Sequence, residues 1–582
     1  METEQEVIAK YEEEFIILER IDDIPLLIGV MKKMQLPVIL DKHLGNHGNQ
    51  EGLSNGWTVV IWLAYILSEG KHTKVHVQEW VMKRQNLLQE LSGEEIRSED
   101  FNDDSLGRVL KRLSSEDSWH RIEHEFWTFC TIIHEVKLNG VRLDSTSSYG
   151  YHAIEPGGLM QEGYSKDHRP DLPQLKLMMA VAEPSGEVIA SDVVAGNRAD
   201  DVLYLPLIRR VWQIVKQVGL LYTGDSKMAA HNIRAEIVHH HDFYLTVAPR
   251  TGETADSWES WLKPIVEGEQ TATLIWHDKQ LLGAGYEFTR PQTAIVNEER
   301  VEWVERVQIV RSPALAEKAA AALERRLQKA KDALLKLTPQ VGRGRRQIRD
   351  EAALTTAIAQ IGERYQVAGL LQVNWKVETT HKVTYVGAGR GGANRPTQTK
   401  SETRYLVTEV SRLADAILQH KHRLGWRVYL TNLPSPAWSL ADTVSHYREG
   451  YCIERDFHLL KDQPLGLSPL FVHLPDQIVG ITHLLTIALR ILTLVETTVR
   501  DALQQRGETL RGLYEGQPNR ATDRPTAIRL LRLFARSEIS RIGFSSRGQW
   551  QWRLTPIPDL LLHILSLLRL PHDTYLHLGN SP

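Results

Sequence analysis

Hydrophobic positions along this chain change their spacing twice, and each change marks a different kind of element. From about Ile21 to Glu135 the apolar residues recur at helical intervals, as in "WTVVIWLAYILSEG" and "DDSLGRVLKRL", with no strand alternation between them. This predicts an all-α opening region. Asp103 or Asp104 is the expected cap of the second of those helices, and "GNHGNQEG" is a turn-rich connector ahead of Trp57. The pattern then shortens to strand-length runs: "VRLD" at 141 to 144, "QLKLMMAVAE" at 174 to 183 and "EVIASDVVAG" at 187 to 196. The turn "PSG" joins the last two as an antiparallel hairpin with "VRLD" beside it. A helix from about Asp200 to Val218, the strand "LLYTGD", a helix from Met228 to His239 and the strand "DFYLTVAP" follow.

Three antiparallel strands, then helix, strand, helix and strand, is the order of a ribonuclease-H-like core, so the expected fold class is α/β. A long detour then separates this core from its last helix. It holds the strands "TATLIW" and "VERVQIV", a basic helix from about Pro313 to Leu337, the link "GRGRR", and the strands "LLQVNWKVE", "KVTYVG" and "TRYLVTEV". The expected organisation is a helical N-terminal region (1–135), the first part of the core (136–250) and an inserted mixed α+β domain (251–425). The second part of the core (426–499) and a basic helical C-terminal region (500–582) complete it. "WRVYLTNL" returns to the core, and Ser435 with Pro436 reads as the N-cap and first turn of the approach to the last helix. "GAGRGGANRP" resembles a dinucleotide fingerprint only in its glycines; strands flank it, which makes it a hairpin loop.

Composition is ordinary for a globular chain of 582 residues, 42% hydrophobic and 24% charged. Two cysteines, Cys130 and Cys452, exclude a disulfide framework and a four-thiolate zinc site, and fit a reducing cytoplasm. The acidic N-terminus lacks the basic and apolar segments of a secretory leader. The most lipid-like run, Ile478 to Val495, is interrupted by His483 and Arg490 and reads as a buried helix. A protein that stays in the cytoplasm is therefore expected. The net charge of −4 conceals segregation: residues 1 to 25 carry nine acids against two bases, residues 311 to 349 eleven bases against three acids, and residues 506 to 553 ten against four. Such basic segments suit either phosphate contacts or solvated helix faces.

Three acids stand out by context. Asp144 in "VRLDST" and Asp225 in "LYTGDSK" each end an apolar strand, which puts a carboxylate at a sheet edge. Glu454 lies in "YREGYCIERDFHLLK", where Tyr447, Glu454 and Lys461 recur every seven residues. On one amphipathic helix, seven residues make two turns less about 20°, so all three share a face. Hard cations such as Mg²⁺ or Mn²⁺ favour carboxylate oxygens, and two ions about 3.5 to 4 Å apart activate a nucleophile and stabilise a leaving oxygen. Spacing alone selects little among 73 acidic residues; the duller reading of each Asp is a turn or cap residue. Lys166, His168 and Arg169 read as a loop near Asp144 that contacts the scissile strand or is simply solvated. Asn197 and Asp200 read as capping residues, Trp375 and Trp426 as packed aromatics with base stacking as the alternative, and His239, His240 and His241 as solvated. His120 and His124 lack a third ligand.

With these motifs the chain resembles the DDE transposases of bacterial insertion sequences, in the group with a Tyr-Arg-Glu-Lys signature. That signature runs Y, two residues, R, three residues, E, six residues, K; here it gives Tyr447, Gly450 in place of arginine, Glu454 and Lys461. The blocks "DST" (144 to 146), "GYSKDHRPDLPQLKL", "GNRADD" and "GDSKM" are similar to those of one subgroup. The likeness covers most of the chain, more weakly in the inserted domain and at the extreme C-terminus. Arg448 is two positions from Gly450, a rotation of about 200° on a helix. The resemblance implies that Asp144, Asp225 and Glu454 bind two Mg²⁺ or Mn²⁺ ions and catalyse end cleavage and joining of 3′-hydroxyls to target DNA. It implies DNA contacts from Tyr447, Arg448, Lys461, Lys166 and Arg169, DNA-end recognition by the helical N-terminal region (1–135) and the basic C-terminal region from about Arg506, and a homodimer on the terminal inverted repeats, in a cytoplasmic, DNA-associated bacterial protein. The alternatives are a catalytically silent DNA-binding descendant and a ribonuclease-H-like nuclease without strand transfer.

Overall fold

A short strand, β1 (Phe15–Arg20), precedes the helices that the opening periodicity predicts: α1 (Ile24–Lys33), α2 (Leu36–Leu44), α3 (Asn55–Glu69), α4 (Val77–Met82), α5 (Gln85–Ser92), α6 (Asp103–Leu113) and α7 (Glu116–His134). The computed structural model describes residues 15–45, 52–251, 255–342, 345, 347–387, 396–546 and 549–579. Most of "GNHGNQEG", nearly all of the "GAGRGGANRP" loop and part of "GRGRR" lie outside the described residues. Helix α6 is capped one residue earlier than the sequence suggests. The Asn102 side chain accepts from the Ser105 amide at 2.8 Å, which leaves Asp103 and Asp104 in the first turn, where the helix dipole favours them.

The chain divides into two units. The first comprises residues up to Thr246 with Thr293–Trp303 and His446–Pro582; the second comprises Val247–Gln292 and Val304–Ser445. In the first unit the strands β2 (Leu138–Tyr149), β3 (Gln174–Pro184) and β4 (Val188–Ala195) lead to helix α8 (Asp201–Val215). Strand β5 (Leu221–Thr223), helix α9 (His231–His239) and strand β6 (Phe243–Val247) follow. Side by side the strands run in the order β4-β3-β2-β5-β6. β2 pairs antiparallel with β3 and β3 with β4, whereas β2, β5 and β6 pair in parallel. Apart from its last residue β3 is buried on both faces, its polar members Gln174, Lys176 and Glu183 included.

The second unit holds helix α10 (Ala255–Val266), strand β7 (Thr273–His277) and most of strands β8 (Gln280–Val296) and β9 (Glu299–Arg311), whose adjoining ends, Thr293–Trp303, belong to the first unit. Helices α11 (Pro313–Lys336) and α12 (Glu351–Arg364), the hairpin β10 (Leu371–Tyr385) and β11 (Thr397–Arg412), helix α13 (Ala414–His422) and strand β12 (Trp426–Thr431) follow. Leu323, Leu327 and Ala330 of α11 pack with Val367, Leu370 and Ile417 into a small core of their own. Trp426 is buried with its indole donating to the His422 carbonyl at 2.8 Å, whereas Trp375 is partly exposed on the hairpin.

Helix α14 (Leu440–Arg448) starts from Ser439 rather than Ser435. The Ser439 hydroxyl accepts from the Asp442 amide at 3.1 Å, and Ser435 and Pro436 belong to the turn before it. α14 ends at Arg448, and a separate helix, α15 (Tyr451–Lys461), carries Glu454 and Lys461. The single amphipathic helix expected from the seven-residue spacing is thus two helices broken at Glu449 and Gly450.

The C-terminal stretch read as helical also contains strands. After α16 (Pro475–Arg506) come β13 (Leu510–Arg511), β14 (Ala521–Thr522), α17 (Ala527–Arg536), β15 (Ser540–Ser546), β16 (Gln549–Leu554), α18 (Asp559–Leu567) and α19 (Asp573–Leu576). β15 pairs with both β1 and β16. Arg541, part of the basic count there, is fully buried, 2.8 Å from Glu19 and stacked 4.0 Å over the Trp552 ring. Its charge serves the fold.

α16 is, among the described residues, the one helix long and apolar enough to cross a membrane, and 94% of its apolar stretch is buried within the protein. The interrupting polar groups have partners. Arg490 donates to Glu123 of α7 at 2.8 Å, and Ser191 of β4 donates to the same carboxylate at 3.0 Å. Burial pushes the His483 imidazole down to about 3, so it is neutral, stacked 4.0 Å from Trp119. Gly480 is required by close approach: a Cβ there would lie 2.1 Å from the Leu110 carbonyl oxygen of α6. Gly480→Ala is accordingly expected to destabilise the fold by about 1 to 3 kcal/mol in urea denaturation, since backbone cannot yield as a side chain does. An unchanged midpoint would mean that α6 and α16 slide apart freely.

Candidate functional site

Strands β2 and β5 run in parallel with Gly140 opposite Leu221 and Arg142 opposite Thr223. Asp144 lies within β2, which runs on to Tyr149 instead of ending at the acid as its apolar run suggests, and Asp225 lies two residues beyond the end of β5, close enough for its charge to act on Asp144. The Asp225 carboxylate accepts from the Tyr204 hydroxyl of α8 at 2.7 Å and from the Lys227 amide at 2.8 Å, and its carbonyl accepts from Thr246 Oγ1 of β6 at 2.6 Å. Burial, and after it the charges of Asp225 and Asp144, push the Tyr204 phenol far above its ordinary pKa, so it remains a neutral donor. Tyr204 escaped the sequence reading because a tyrosine on the apolar face of a helix looks like any other core residue. Tyr204→Phe is expected to cost about 1 kcal/mol in urea denaturation by leaving a part-buried carboxylate one donor short. Identical stability of the two proteins would show that water replaces the hydroxyl without loss.

Asp144 is half-buried. Its Oδ1 accepts from the Ser145 amide at 2.7 Å and from Lys166 Nζ at 3.2 Å. The same ammonium donates to Ser145 Oγ at 2.8 Å and to the Ser145 carbonyl. Burial raises the Asp144 pKa; Lys166 opposes this and the neighbouring charge of Asp225 adds to it. Lys166 belongs to a loop laid along β2, where its amide donates to Ser147 Oγ at 3.0 Å. Lys461, at the end of α15, forms an ion pair with Asp167 of that loop and donates to Thr146 Oγ1 at 3.2 Å. Arg169 pairs with Asp171 at 2.8 Å and lies 5.3 Å over the Tyr149 ring, so of the loop cations only Lys166 touches an acid of the candidate triad.

The break between α14 and α15 is held from the sheet. Arg142, two residues before Asp144 on β2, donates through Nε to Glu183 at 2.5 Å, through Nη2 to the His446 carbonyl at 2.8 Å, and through Nη1 to the Tyr447 carbonyl at 3.4 Å. His446 Nε2 lies 3.0 Å from the other oxygen of Glu183 and 3.2 Å from Thr223 Oγ1. Burial works against the Glu183 carboxylate, but His446 and Arg142 outweigh it and hold its pKa low. Tyr447 therefore meets the sheet through its backbone, and Arg448, at the end of α14, is exposed.

Glu454 is exposed on the first turn of α15. Gly450 and Lys461, which front Arg142 and Thr146 of β2, lie four residues before it and seven after. The interval to Lys461 corresponds to about 20° of rotation, so Glu454 and Lys461 lie on one side of α15. Arg142, Asp144 and Thr146, at intervals of two, share one face of the strand. Even so, among the described residues no three His, Cys, Asp or Glu side chains converge closely enough to hold a metal ion. Of the three candidate acids, Asp144 and Asp225 are near enough for one charge to act on the other. Of the other residues considered, Asp200 makes no cap bond and instead pairs with Lys176 at 2.6 Å. His240 is not solvated: it stacks 4.1 Å from Trp212 and lies 2.8 Å from Asp242.

Residues 16–123 match the family profile of a domain of unknown function, DUF4277, which ends ahead of β2 and both acids. No curated protein matches the chain in sequence. Among solved structures, the cryo-EM structure of the piggyBac transposase synaptic complex with hairpin DNA is similar at 9% identity and a TM-score of 0.26. The likeness spans 50% of this chain and 58% of that one, little more than half of its length. A likeness of this size assigns neither fold nor activity.

Proposed function

We propose that this chain is a DDE transposase of the insertion-sequence type, which cleaves the ends of its element and joins the exposed 3′-hydroxyls to target DNA. The observation that carries the reading is the nearness of Asp144, within β2, to Asp225, just past the end of the parallel strand β5, beside the helix of Glu454, whose Lys461 reaches the same strand β2. The strand order β4-β3-β2-β5-β6, three antiparallel and two parallel, supports a ribonuclease-H-like core. Mg²⁺ is commonly bound by one or two carboxylates with waters and substrate phosphates, so the Asp144 and Asp225 pair suits a first ion. A second ion would draw on Asp144 and Glu454. Such ions lower the pKa of an attacking hydroxyl and stabilise the leaving oxygen.

The residues of this chain then have distinct tasks. Tyr204 and the Lys227 amide fix the orientation of Asp225. Lys166 neutralises Asp144 and Lys461 neutralises Asp167, which places two ammonium groups along β2 where a phosphodiester would lie. A homodimer holding both terminal repeats is part of the proposal, since joining requires two ends. The test is a strand-transfer assay with labelled terminal-repeat DNA, plain target DNA and Mg²⁺ or Mn²⁺. Joined product supports the reading. Cut but unjoined ends would replace it with a nuclease, and retarded but intact DNA with a silent binding protein.

A further inference from the structure

We infer that Arg142 is a positioning residue that supplies, from strand β2, the guanidinium missing at position 450, and thereby sets where helix α15 and Glu454 begin. Only the catalytic part of this inference rests on the proposed function.

The reason position 450 is glycine is spatial. Gly450 has φ −62° and ψ 14°, a conformation open to any L residue, so its backbone does not call for glycine. What a side chain would meet is Arg142: a Cβ at 450 would lie 2.8 Å from Nη1. That guanidinium has little freedom to withdraw. It is 6% exposed, fixed to Glu183 at 2.5 Å, and directed at the carbonyls of His446 and Tyr447. Arg142 and any side chain at 450 therefore exclude one another.

The contacts also define a task. His446 and Tyr447 close helix α14, where a positive charge is favoured by the dipole, and the His446 carbonyl also accepts from the Glu449 amide at 3.3 Å. Arg142 donates to both their carbonyls, and its own strand continues to Asp144 two residues later. One side chain thus ties the strand bearing the first acid to the junction from which the helix bearing the third acid departs. Glu183 completes the arrangement by binding Arg142 and His446 together. Because a side chain at 450 would enter the volume of the Arg142 guanidinium, shortening Arg142 opens that volume to an arginine placed at 450.

The test is a cycle of Arg142→Ala, Gly450→Arg and the two combined, with Arg142→Lys as a conservative control. Hydrogen exchange is followed on amides 447 to 454, and single-turnover cutting and end-DNA affinity are measured on the full chain. Arg142→Ala is expected to speed exchange at the junction by about tenfold or more. It is expected to slow cutting by about 100-fold, with affinity changed less than about threefold, as suits a misplaced group remote from the chemistry. Gly450→Arg alone is expected to do the same by crowding, and the combined variant to recover about tenfold over either single change in both readouts. Arg142→Lys keeps the charge but loses the fork, and is expected to fall between wild type and Arg142→Ala. The inference is overturned if Arg142→Ala exchanges and cuts like wild type, or if the combined variant is as impaired as the worse single one. Absence of cutting by wild type would defeat the proposed function instead, and the exchange cycle would still decide whether Arg142 holds the junction.

Discussion

Asp144→Asn is expected to reduce cutting of terminal-repeat DNA by about 10³-fold or more while leaving end binding nearly intact. The amide keeps the shape of the carboxylate and can still accept from Lys166, but it cannot hold a divalent cation. The stability of the variant has the opposite sign. Burial first, and the Asp225 charge with it, raise the Asp144 pKa above the ordinary aspartate value. A carboxyl whose pKa rises on folding contributes stability below its unfolded pKa and loses it as pH climbs through the folded value. At pH 8 wild type therefore carries the whole penalty, and Asp144→Asn should melt no lower than wild type. Lost cutting with retained or improved melting identifies a group kept for chemistry at the expense of the fold. Cutting at wild-type rate would remove Asp144 from the site, and a lower melting temperature would show that its charge holds the loop of Lys166 in place.

Much of this arrangement was legible in the sequence because it depends on local pattern. Apolar runs that lead into Asp144 and Asp225 suggest strand ends; β5 does stop just short of Asp225, at Thr223, but β2 runs on through Asp144 to Tyr149, because residues 145 to 149 stay paired with β3. Helical spacing before residue 135 is realised as α1 to α7. What pattern could not convey are features decided by partners remote in the chain. Seven-residue spacing put Tyr447, Glu454 and Lys461 on one helix, but the helix breaks where Arg142, more than 300 residues earlier, takes the carbonyls of His446 and Tyr447. Counting charges suggested a basic C-terminal surface, yet Arg541 is a buried partner of Glu19, 522 residues away. The alternation in "SRIGF" and "QWQWRL" is the signal that the charge count obscured, and it forms β15 and β16. Caps shifted for a similar reason: Asn102 and Ser439 are each followed by a suitable amide, and an acid near a helix start is favoured by the dipole whether or not it is the cap.

Glu187 provides the second large effect, and it depends on pH. This residue opens the return from β3 to β4 and is 1% exposed, with no hydrogen-bond partner for either carboxylate oxygen among the described residues. Burial pushes its pKa up to about 8, with Asp456 adding to the shift and Arg490 and Arg455 opposing it. The folded protein thus takes up a proton that the unfolded chain, with an ordinary glutamate, releases near pH 4.5. Its contribution is fully present below that unfolded value and falls as pH rises, until the folded group itself ionises near 8. Between pH 5 and pH 8 this one carboxyl should remove about 3 kcal/mol of stability, at 1.36 kcal/mol per pKa unit. Glu187→Gln has the same shape and no proton to lose. Its urea-denaturation stability is expected to match wild type within about 1 kcal/mol at pH 5 and to exceed it by about 3 kcal/mol at pH 8. Curves that stay parallel across that range would show that Glu187 is ionised in the folded protein, with Arg490 or Arg455 close enough to sustain its charge.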